Sequence, residues 1–234
     1  MRYPPSSDLA FWVEHYWVVE WDLHEPFVAQ TLPHPSVHLV VGDESRVMGV
    51  VSGRHTRVLE GSGRVFGIKL RPGAFRPILG RAVSTITDRQ LPLRDFFGTL
   101  EEEILATLDD RERIVIAETH LREQLPAHDP KIDEVNRIMD LILADREITK
   151  VEHLVQHSGA GTRTLQRLFR EYVGVSPKWV INRYRLHEAL ERAAAGESVD
   201  WTALALDLGY FDQAHFIRDF KKLVGKTPTE YVSG

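Results

Sequence analysis

Cysteine is absent from this chain of 234 residues. The protein therefore forms no disulfide, has no thiol nucleophile and cannot hold zinc through thiolates. Long apolar runs are also missing, and none approaches the ~20 residues that a membrane-spanning helix needs. The first residues, MRYPPSSDL, lack the basic-then-apolar order of a secretion signal. These absences predict a cytoplasmic protein with no membrane partner.

An overall excess of positive charge is missing as well, because the formal net charge is -5. Residues 131–234 carry 15 Lys plus Arg and 15 Asp plus Glu, whereas residues 1–130 carry 14 and 19. Within the balanced part, residues 161–170 contain three arginines and no acid, and residues 221–226 contain three lysines and no acid. Local basic patches on a neutral background favour a nucleic-acid binder that uses more than overall charge.

Catalytic motifs are also lacking. The sequence contains no Gly-x-Ser-x-Gly elbow, phosphate-binding loop or His-Glu-x-x-His pair. The glycines of Gly61-x-Gly63-x-x-x-Gly67 have the wrong spacing for a dinucleotide fingerprint, and they lie between predicted strands. We therefore predict no catalytic residue, no cofactor and no metal site.

The most informative feature that is present is a pattern that occurs twice, with the copies 51 positions apart. The first copy reads Leu165-x-Arg167-x-Phe169-Arg170 followed by Val173-Gly174-x-Ser176-Pro177, and the second reads Phe216-x-Arg218-x-Phe220-Lys221 followed by Val224-Gly225-x-Thr227-Pro228. Such self-similarity indicates one supersecondary unit built twice. Arginine among apolar residues at helical spacing is typical of a helix that packs on one face and contacts an anionic partner with the other.

Each copy belongs to a predicted unit of two helices joined by a tight turn that contains glycine. The turns lie at 158–161 and 209–212, and Asp212 is a suitable N-cap for the helix that follows it. Between the units, a helix from Pro177 to Ala194 would span ~27 Å at 1.5 Å per residue, close to the ~34 Å between equivalent faces of successive DNA turns. The pattern favours two helix-turn-helix units over a plain helical bundle with exposed arginines.

These residues resemble the DNA-binding region of the AraC/XylS family of bacterial transcription regulators. The resemblance covers roughly residues 130–232, and its most specific stretch is ALALDLGYFDQAHFIRDFKKLVGKTPTEY. It implies two units on one protomer, each placing a helix in the major groove of an operator. By position, the implied DNA-binding residues are Arg163, Gln166, Arg167 and Arg170 in the first unit, and Gln213, Ala214, Ile217, Arg218 and Lys221 in the second. Leu165, Phe169, Phe216 and Phe220 would be packing residues.

The resemblance has two departures. Gly161 stands where the family prefers a Ser cap, and Asp219 adds negative charge to a helix that would face phosphate. The chemistry otherwise agrees, because Arg can bind guanine bidentately and Gln can bind adenine, whereas Ala and Ile only touch a thymine methyl. The first unit is therefore the stronger predicted base reader.

Residues 11–70 alternate in polarity and are interrupted by turn signals, which predicts several short antiparallel strands. The overall prediction is an α+β fold: a small antiparallel β barrel or sandwich with following helices, then an all-α domain with two helix-turn-helix units joined by a long helix. We expect a β-rich domain over 1–125 and a DNA-binding domain over 130–234, divided into about 149–174, 177–195 and 199–225, with a linker at 126–129.

The N-terminal half resembles a sensor-like domain often found ahead of this DNA-binding region, through VEHYWVVEWDL, LPHPSVHLVVG and GIKLRPGAF. Trp17 and Trp21 share one face of a predicted strand, and His34 and His38 share a face of an extended segment. We expect these four residues to bind a small-molecule effector at an aromatic-lined barrel mouth. The alternative is that the indoles fill a core.

An apolar stripe of Ile114, Ala117, Leu121 and Leu125 predicts either a homodimer interface within helices at about 100–125 or packing on the chain's own β domain. The expected partners are thus an operator duplex, a small effector, RNA polymerase if the protein activates, and a second copy. Two alternatives stay open. One is a β-barrel enzyme, metal-dependent through His34 and His38 or not, fused to a DNA-binding region. The other is a β domain that serves only as an assembly surface.

Overall fold

The computed structural model describes residues 1–126 and 128–233, without the side chains of 232 and 233. Its first half contains eight strands, and the first six are β1 Arg2–Tyr3, β2 Val13–Asp22, β3 Phe27–Thr31, β4 His38–Val41, β5 Arg46–Met48 and β6 His55–Leu59. Strands β7 Ser62–Leu70 and β8 Gln90–Pro92 complete the set. Six strands form an antiparallel sheet in the order β1-β2-β7-β4-β5-β8, and β3 pairs with β6 in a second sheet. The predicted antiparallel β region is confirmed.

Four helices lie in the part of the chain between β7 and residue 126, and they share a core with the sheet. They are α1 Arg76–Leu79, α2 Arg94–Phe97, α3 Leu100–Leu105 and α4 Asp110–Gln124, with a 3₁₀ turn at Val83–Ile86. The first ends at Gly80, whose φ of 70° is the left-handed conformation that favours glycine at a helix C-terminus. The core beneath them joins Tyr16, Phe66 and Phe97 from strands and helices.

The apolar stripe of α4 packs inside this same core. Ala117 and Leu121 are fully buried there, and Ile114 and Leu125 pack against it from its edge. Of the two alternatives for this stripe, the structure shows packing on the chain's own β region. A homodimer stays a prediction. Leu108 lies beyond the end of α3 and is exposed.

The second half is helical throughout. Its elements are α5 Pro130–Ala144, α6 Val151–Ser158, α7 Thr162–Leu168, α8 Pro177–Ala194, α9 Trp201–Asp207, α10 Gln213–Val224 and α11 Pro228–Ser233, and a π turn at Phe169–Val173 extends α7. Asp129 caps α5 and Ser176 caps α8, because each side chain accepts a hydrogen bond from a backbone N–H of the first turn. In the predicted linker, Ala127 lies outside the described residues.

Two cores stabilise these helices. The larger joins α5, α6, α7, the π turn and the start of α8 around Phe169, and it includes Val50 from the β region. The smaller joins the end of α8 to α9 and α10 around Phe216 and Phe220. Over the described ranges, 1–126 and 128–233, none of the helices is long and apolar enough to cross a bilayer.

Candidate DNA-binding surface and small-molecule cavity

The helix predicted to read DNA in the first unit, α7, has one face in the core and one face in solvent. Leu165 and Phe169 are fully buried against α6 and α8. The predicted base readers Arg163, Gln166 and Arg167 are exposed on the other face. Their spacing of three and four residues puts them side by side on that face, so they can approach one groove together.

The ends of this helix differ from those of an ordinary capped helix. Gly161 occupies the N-cap and makes no side-chain cap hydrogen bond, as the sequence predicted. At the other end, Arg170 lies exposed in the π turn, a local widening that is often found at functional sites. Gly174 then stops the helix at a φ of 96°, and its carbonyl accepts a hydrogen bond from the Thr87 hydroxyl at 2.6 Å. The first unit is thereby fixed to the β region.

The helix predicted to read DNA in the second unit, α10, begins at the predicted cap, where the Asp212 carboxylate accepts a hydrogen bond from the backbone N–H of His215 at 2.6 Å. Four of the five predicted DNA-binding residues of this unit are exposed, namely Gln213, Ala214, Arg218 and Lys221. The fifth, Ile217, is half-buried and packs against the smaller core. Its side chain is therefore partly used to hold the unit together.

Asp219, the acidic residue of α10 noted in the sequence, is half-buried and interacts within its own unit. It lies 3.5 Å from the His215 ring and beside the Tyr210 hydroxyl. Burial and this carboxylate together raise the pKa of Tyr210 to about 12. The Asp219 carboxylate therefore contacts residues at the α9–α10 turn and is only partly exposed to solvent.

The helix that joins the units, α8, carries two buried arginines that the sequence analysis did not single out. Arg183 stacks over Trp179 at 4.4 Å, and both side chains donate to the Ser52 carbonyl, at 2.9 and 3.1 Å. Arg185 donates to the Ile142 carbonyl at the end of α5 and to Glu188. Burial lowers the pKa of Arg183 to about 10. The sequence signal for their burial was that both arginines lie on the apolar face of an amphipathic helix.

A cavity of about 460 Å³ lies in the β region, bounded by side chains from both sheets. All four predicted effector-binding residues, Trp17, Trp21, His34 and His38, line it. The two indoles lie over glycines, because Trp17 pairs with Gly67 across the sheet and Trp21 pairs with Gly63. A Cβ atom at either glycine would lie within 2.2 Å of the facing indole. The indoles therefore form a wall of the cavity.

Comparison with known proteins agrees with the geometry of the second half. Residues 154–234 match the model of a helix-turn-helix domain. The chain is also 39% identical over 83 residues to YkgA of Escherichia coli K12, an HTH-type transcriptional regulator by name. This match covers 35% of the chain and 34% of YkgA. Residues 154–234 form an AraC-type helix-turn-helix domain.

The β region and the whole chain also have matches. Residues 1–92 match a domain of unknown function, DUF6597. A structure of ToxT from Vibrio cholerae is 13% identical with a TM-score of 0.44, over 93% of this chain and 97% of ToxT. A second, of ToxT bound to (E)-4-(8-methylnaphthalen-1-yl)but-3-enoic acid, is 11% identical with a TM-score of 0.42 over 93% and 97% of the two chains.

The cavity reaches the AraC-type domain through a pair of histidine rings. His34 lines the cavity and stacks on His187 of α8, with the ring centroids 4.1 Å apart and the planes 8° from parallel. Burial lowers the pKa of His34 to about 3 and that of His187 to about 4. Both rings are therefore neutral at pH 7, which allows them to stack without repulsion.

The remaining histidines do not gather into a metal site. In the part of the chain that the structure describes, no three His, Cys, Asp or Glu side chains are arranged to hold a metal ion. His153 and His157, four apart on α6, instead contact backbone carbonyls of Glu147 and His153, each at 2.8 Å.

Proposed function

We propose that this protein is a sequence-specific DNA-binding transcription regulator whose two reading helices, α7 and α10, enter successive major grooves of one operator. The observation that carries the proposal is the exposed row of Arg163, Gln166 and Arg167 on a helix whose opposite face is fully buried. The AraC-type match over residues 154–234 supports it.

The two units would contribute differently. Arginine can donate two hydrogen bonds to guanine O6 and N7, and glutamine can pair with adenine N6 and N7. The first unit offers these groups in one row, with Arg170 placed to reach phosphate. The second unit offers Gln213, Arg218 and Lys221 around a half-buried Ile217. We therefore propose that the first unit reads bases and that the second contributes more to phosphate contact.

The test is the ratio of affinities for operator and scrambled DNA. An operator duplex is first selected by the purified protein from a random library, and Arg167→Ala is then compared with the wild type on selected and scrambled duplexes. Loss of one bidentate base contact should reduce discrimination by about 1 to 3 kcal/mol at one base pair. An unchanged ratio would remove the base-reading role from Arg167.

The matched control is Arg111→Ala, because Arg111 is an exposed arginine on α4 in the first half of the chain. It should leave both affinities unchanged. If Arg111→Ala weakened DNA binding as much as Arg167→Ala, the assay would be reporting only the overall charge of the protein.

We further propose that residues 1–125 act as a sensor domain for a small effector and residues 130–234 as the DNA-binding domain. The cavity supports this division, since its volume falls within the ~300 to 1,000 Å³ of small-molecule sites and its lining joins the four predicted residues. The enzyme alternative gains no such support, because the His34 ring is stacked on His187.

A further inference from the structure

The cavity is lined by an unusual set of charges. Its lining side chains include the permanent cations Arg2, Arg46, Arg57 and Lys69, and within the described residues none of the lining side chains is Asp or Glu. Lys69 is already paired, because its ammonium donates to Glu14 at 2.8 Å. The other three are arginines, whose planar guanidinium groups suit carboxylate or phosphate oxygens.

Arg46 is the arginine best placed to bind an anion inside the cavity. Its side chain is only 13% exposed, and its Nη1 donates to the carbonyl and carboxylate of Glu44, at 2.7 and 3.3 Å. Its Nε is buried and has no hydrogen-bond partner among the described residues. The guanidinium is therefore fixed at Nη1, and it holds a positive charge in the lining of the cavity.

Two further nitrogens of the lining are in the same condition. Trp17 Nε1 and His38 Nδ1 are buried, and neither has a partner in the described part of the chain. The rings of these two residues approach each other edge to face, with centroids 6.1 Å apart. Buried polar nitrogens are normally satisfied by protein, water or ligand, so these three mark polar positions within an otherwise apolar wall.

The rest of the lining is apolar and flat. Trp17 and Trp21 lie over Gly67 and Gly63 in place of protruding side chains, and Val19 separates the two indoles along β2. Val40 of β4, Met48 of β5 and Leu59 of β6 add apolar side chains to the same lining. Offset stacking on an indole face favours a planar aromatic body over a bulky saturated one.

We infer that the cavity binds an aromatic carboxylate, with the ring system against the indoles of Trp17 and Trp21 and the carboxylate on Arg46. This inference rests on the proposed sensor role of the cavity and specifies the class of effector. His38 supports the assignment, because burial and the nearby Lys69 lower its pKa to about 3 and leave a neutral ring that can donate a hydrogen bond.

The experiment uses the full-length chain and pairs of compounds that differ in charge at one group. The pairs are 3-phenylpropionate and 3-phenylpropanol, 4-phenylbutyrate and 4-phenylbutanol, and indole-3-acetate and indole-3-ethanol. Titration calorimetry and the shift in melting temperature report binding, since a ligand of the folded state raises that temperature. At least one carboxylate should bind about tenfold or more tightly than its alcohol, as expected for a charge-assisted hydrogen bond in a water-poor site.

Substitutions then locate the carboxylate. Arg46→Gln should remove the preference for the carboxylate over the alcohol. It should weaken the affinity for the carboxylate about tenfold and leave the affinity for the alcohol unchanged. Arg57→Gln is a second variant of the lining, and it should lower the carboxylate affinity less, because Arg57 stacks on Trp21 at 5.5 Å and lies 3.9 Å from Asp43. The control is Arg81→Gln, an exposed arginine of the same region that does not line the cavity.

DNA binding is measured on the same preparation, so that failure of the carboxylate assignment can be told apart from failure of the proposed regulator function. Equal or tighter binding of the alcohols would overturn the carboxylate assignment and leave the cavity as a sensor site. Binding of none of the six compounds, by a protein that selects its operator, would overturn the assignment and argue against the sensor role while leaving the DNA-binding function standing. Absence of selective DNA binding would instead count against the proposed regulator itself.

Discussion

Two glycines on β7 determine where the indoles of β2 lie. Gly63 and Gly67 stand directly across the sheet from Trp21 and Trp17, at positions where any side chain would occupy the space of the indole ring. An aromatic side chain that covers a cross-strand glycine shields its backbone and packs closely on it. The glycines that superficially suggested a nucleotide fingerprint are therefore explained by the shape of the cavity wall.

At the same scale, single phenylalanines hold each helix-turn-helix unit together. Phe169 and Phe220 are at most 1% exposed, in the larger and smaller helical cores respectively. Truncation to alanine should cost about 3 to 5 kcal/mol for each, from lost burial and the cavity left behind. Phe169→Ala and Phe220→Ala are each expected to lower the melting temperature and to weaken DNA binding together.

Phe211 provides the control for these truncations, because it is 94% exposed in the turn before α10. Phe211→Ala should leave the melting temperature unchanged. If Phe169→Ala lost DNA binding while its melting curve stayed at that of the wild type, α7 would have to be rotated relative to the core described above.

At the scale of elements, α4 acts as a brace for the β region. Its apolar stripe fills the core, and its polar edge is tied to the start of the chain, where Arg122 pairs with Asp8 at 2.7 Å and Glu118 accepts from the Ser6 backbone at 2.8 Å. A helix held along two sides in this manner is part of the fold and has no free apolar stripe for a second copy.

Leu121→Lys tests this placement of α4. A lysine at that fully buried site would lose its hydration without a partner, at a cost of several kcal/mol. We expect insoluble or unfolded protein, measured by circular dichroism and sedimentation. Val115 lies on the other side of the same helix and is 63% exposed, so Val115→Lys should remain folded. A folded, soluble Leu121→Lys monomer derived from a wild-type dimer would restore the stripe as an interface.

For the whole molecule, the contact between the β region and the AraC-type domain includes a pair of neutral histidines and a buried arginine. The His34–His187 stack and the hydrogen bonds from Trp179 and Arg183 to the Ser52 carbonyl all act on α8. These contacts hold α8, the helix that joins the two helix-turn-helix units, against the β region.

Stability should depend on pH through these histidines. Burial lowers the pKa of His34 to about 3 and of His187 to about 4, below the ~6.5 of an unfolded histidine. Between those values the unfolded chain binds more protons than the folded one, so the free energy of unfolding falls as pH is lowered from about 6.5 toward 4. His38 contributes in the same direction, since its pKa is also lowered to about 3.

His187→Phe isolates one group, because it keeps an aromatic ring at the stack and removes the titration. The slope of unfolding free energy against pH, measured by denaturant titration from pH 7 to 5, should decrease by up to about 1.4 kcal/mol per pH unit. Equal slopes for wild type and variant would mean that the pKa of His187 is the same in the folded and unfolded protein, and the buried neutral stack would have to be abandoned.

Local interactions explain what the sequence determined by itself. Asp129, Ser176 and Asp212 cap their helices through hydrogen bonds to backbone groups two or three residues away, so their positions could be read directly from the chain. The repeated pattern around Phe169 and Phe220 likewise depends on helical periodicity alone. The type and order of the helices, and the exposed arginines of α7, were predictable for this reason.

Long-range packing decided the rest. His34 meets His187 across more than half of the chain, and periodicity carries no information about such a pair. The sequence left open whether the β region or a second copy covers the stripe that contains Leu121. The folded β region shows that Leu121 packs in the chain's own core. The cavity required the β2–β7 register, because the pairing of Trp17 with Gly67 turns two ordinary residues into a wall with space in front of it. A shift of that register by one residue would have placed the indoles on the other face of the sheet.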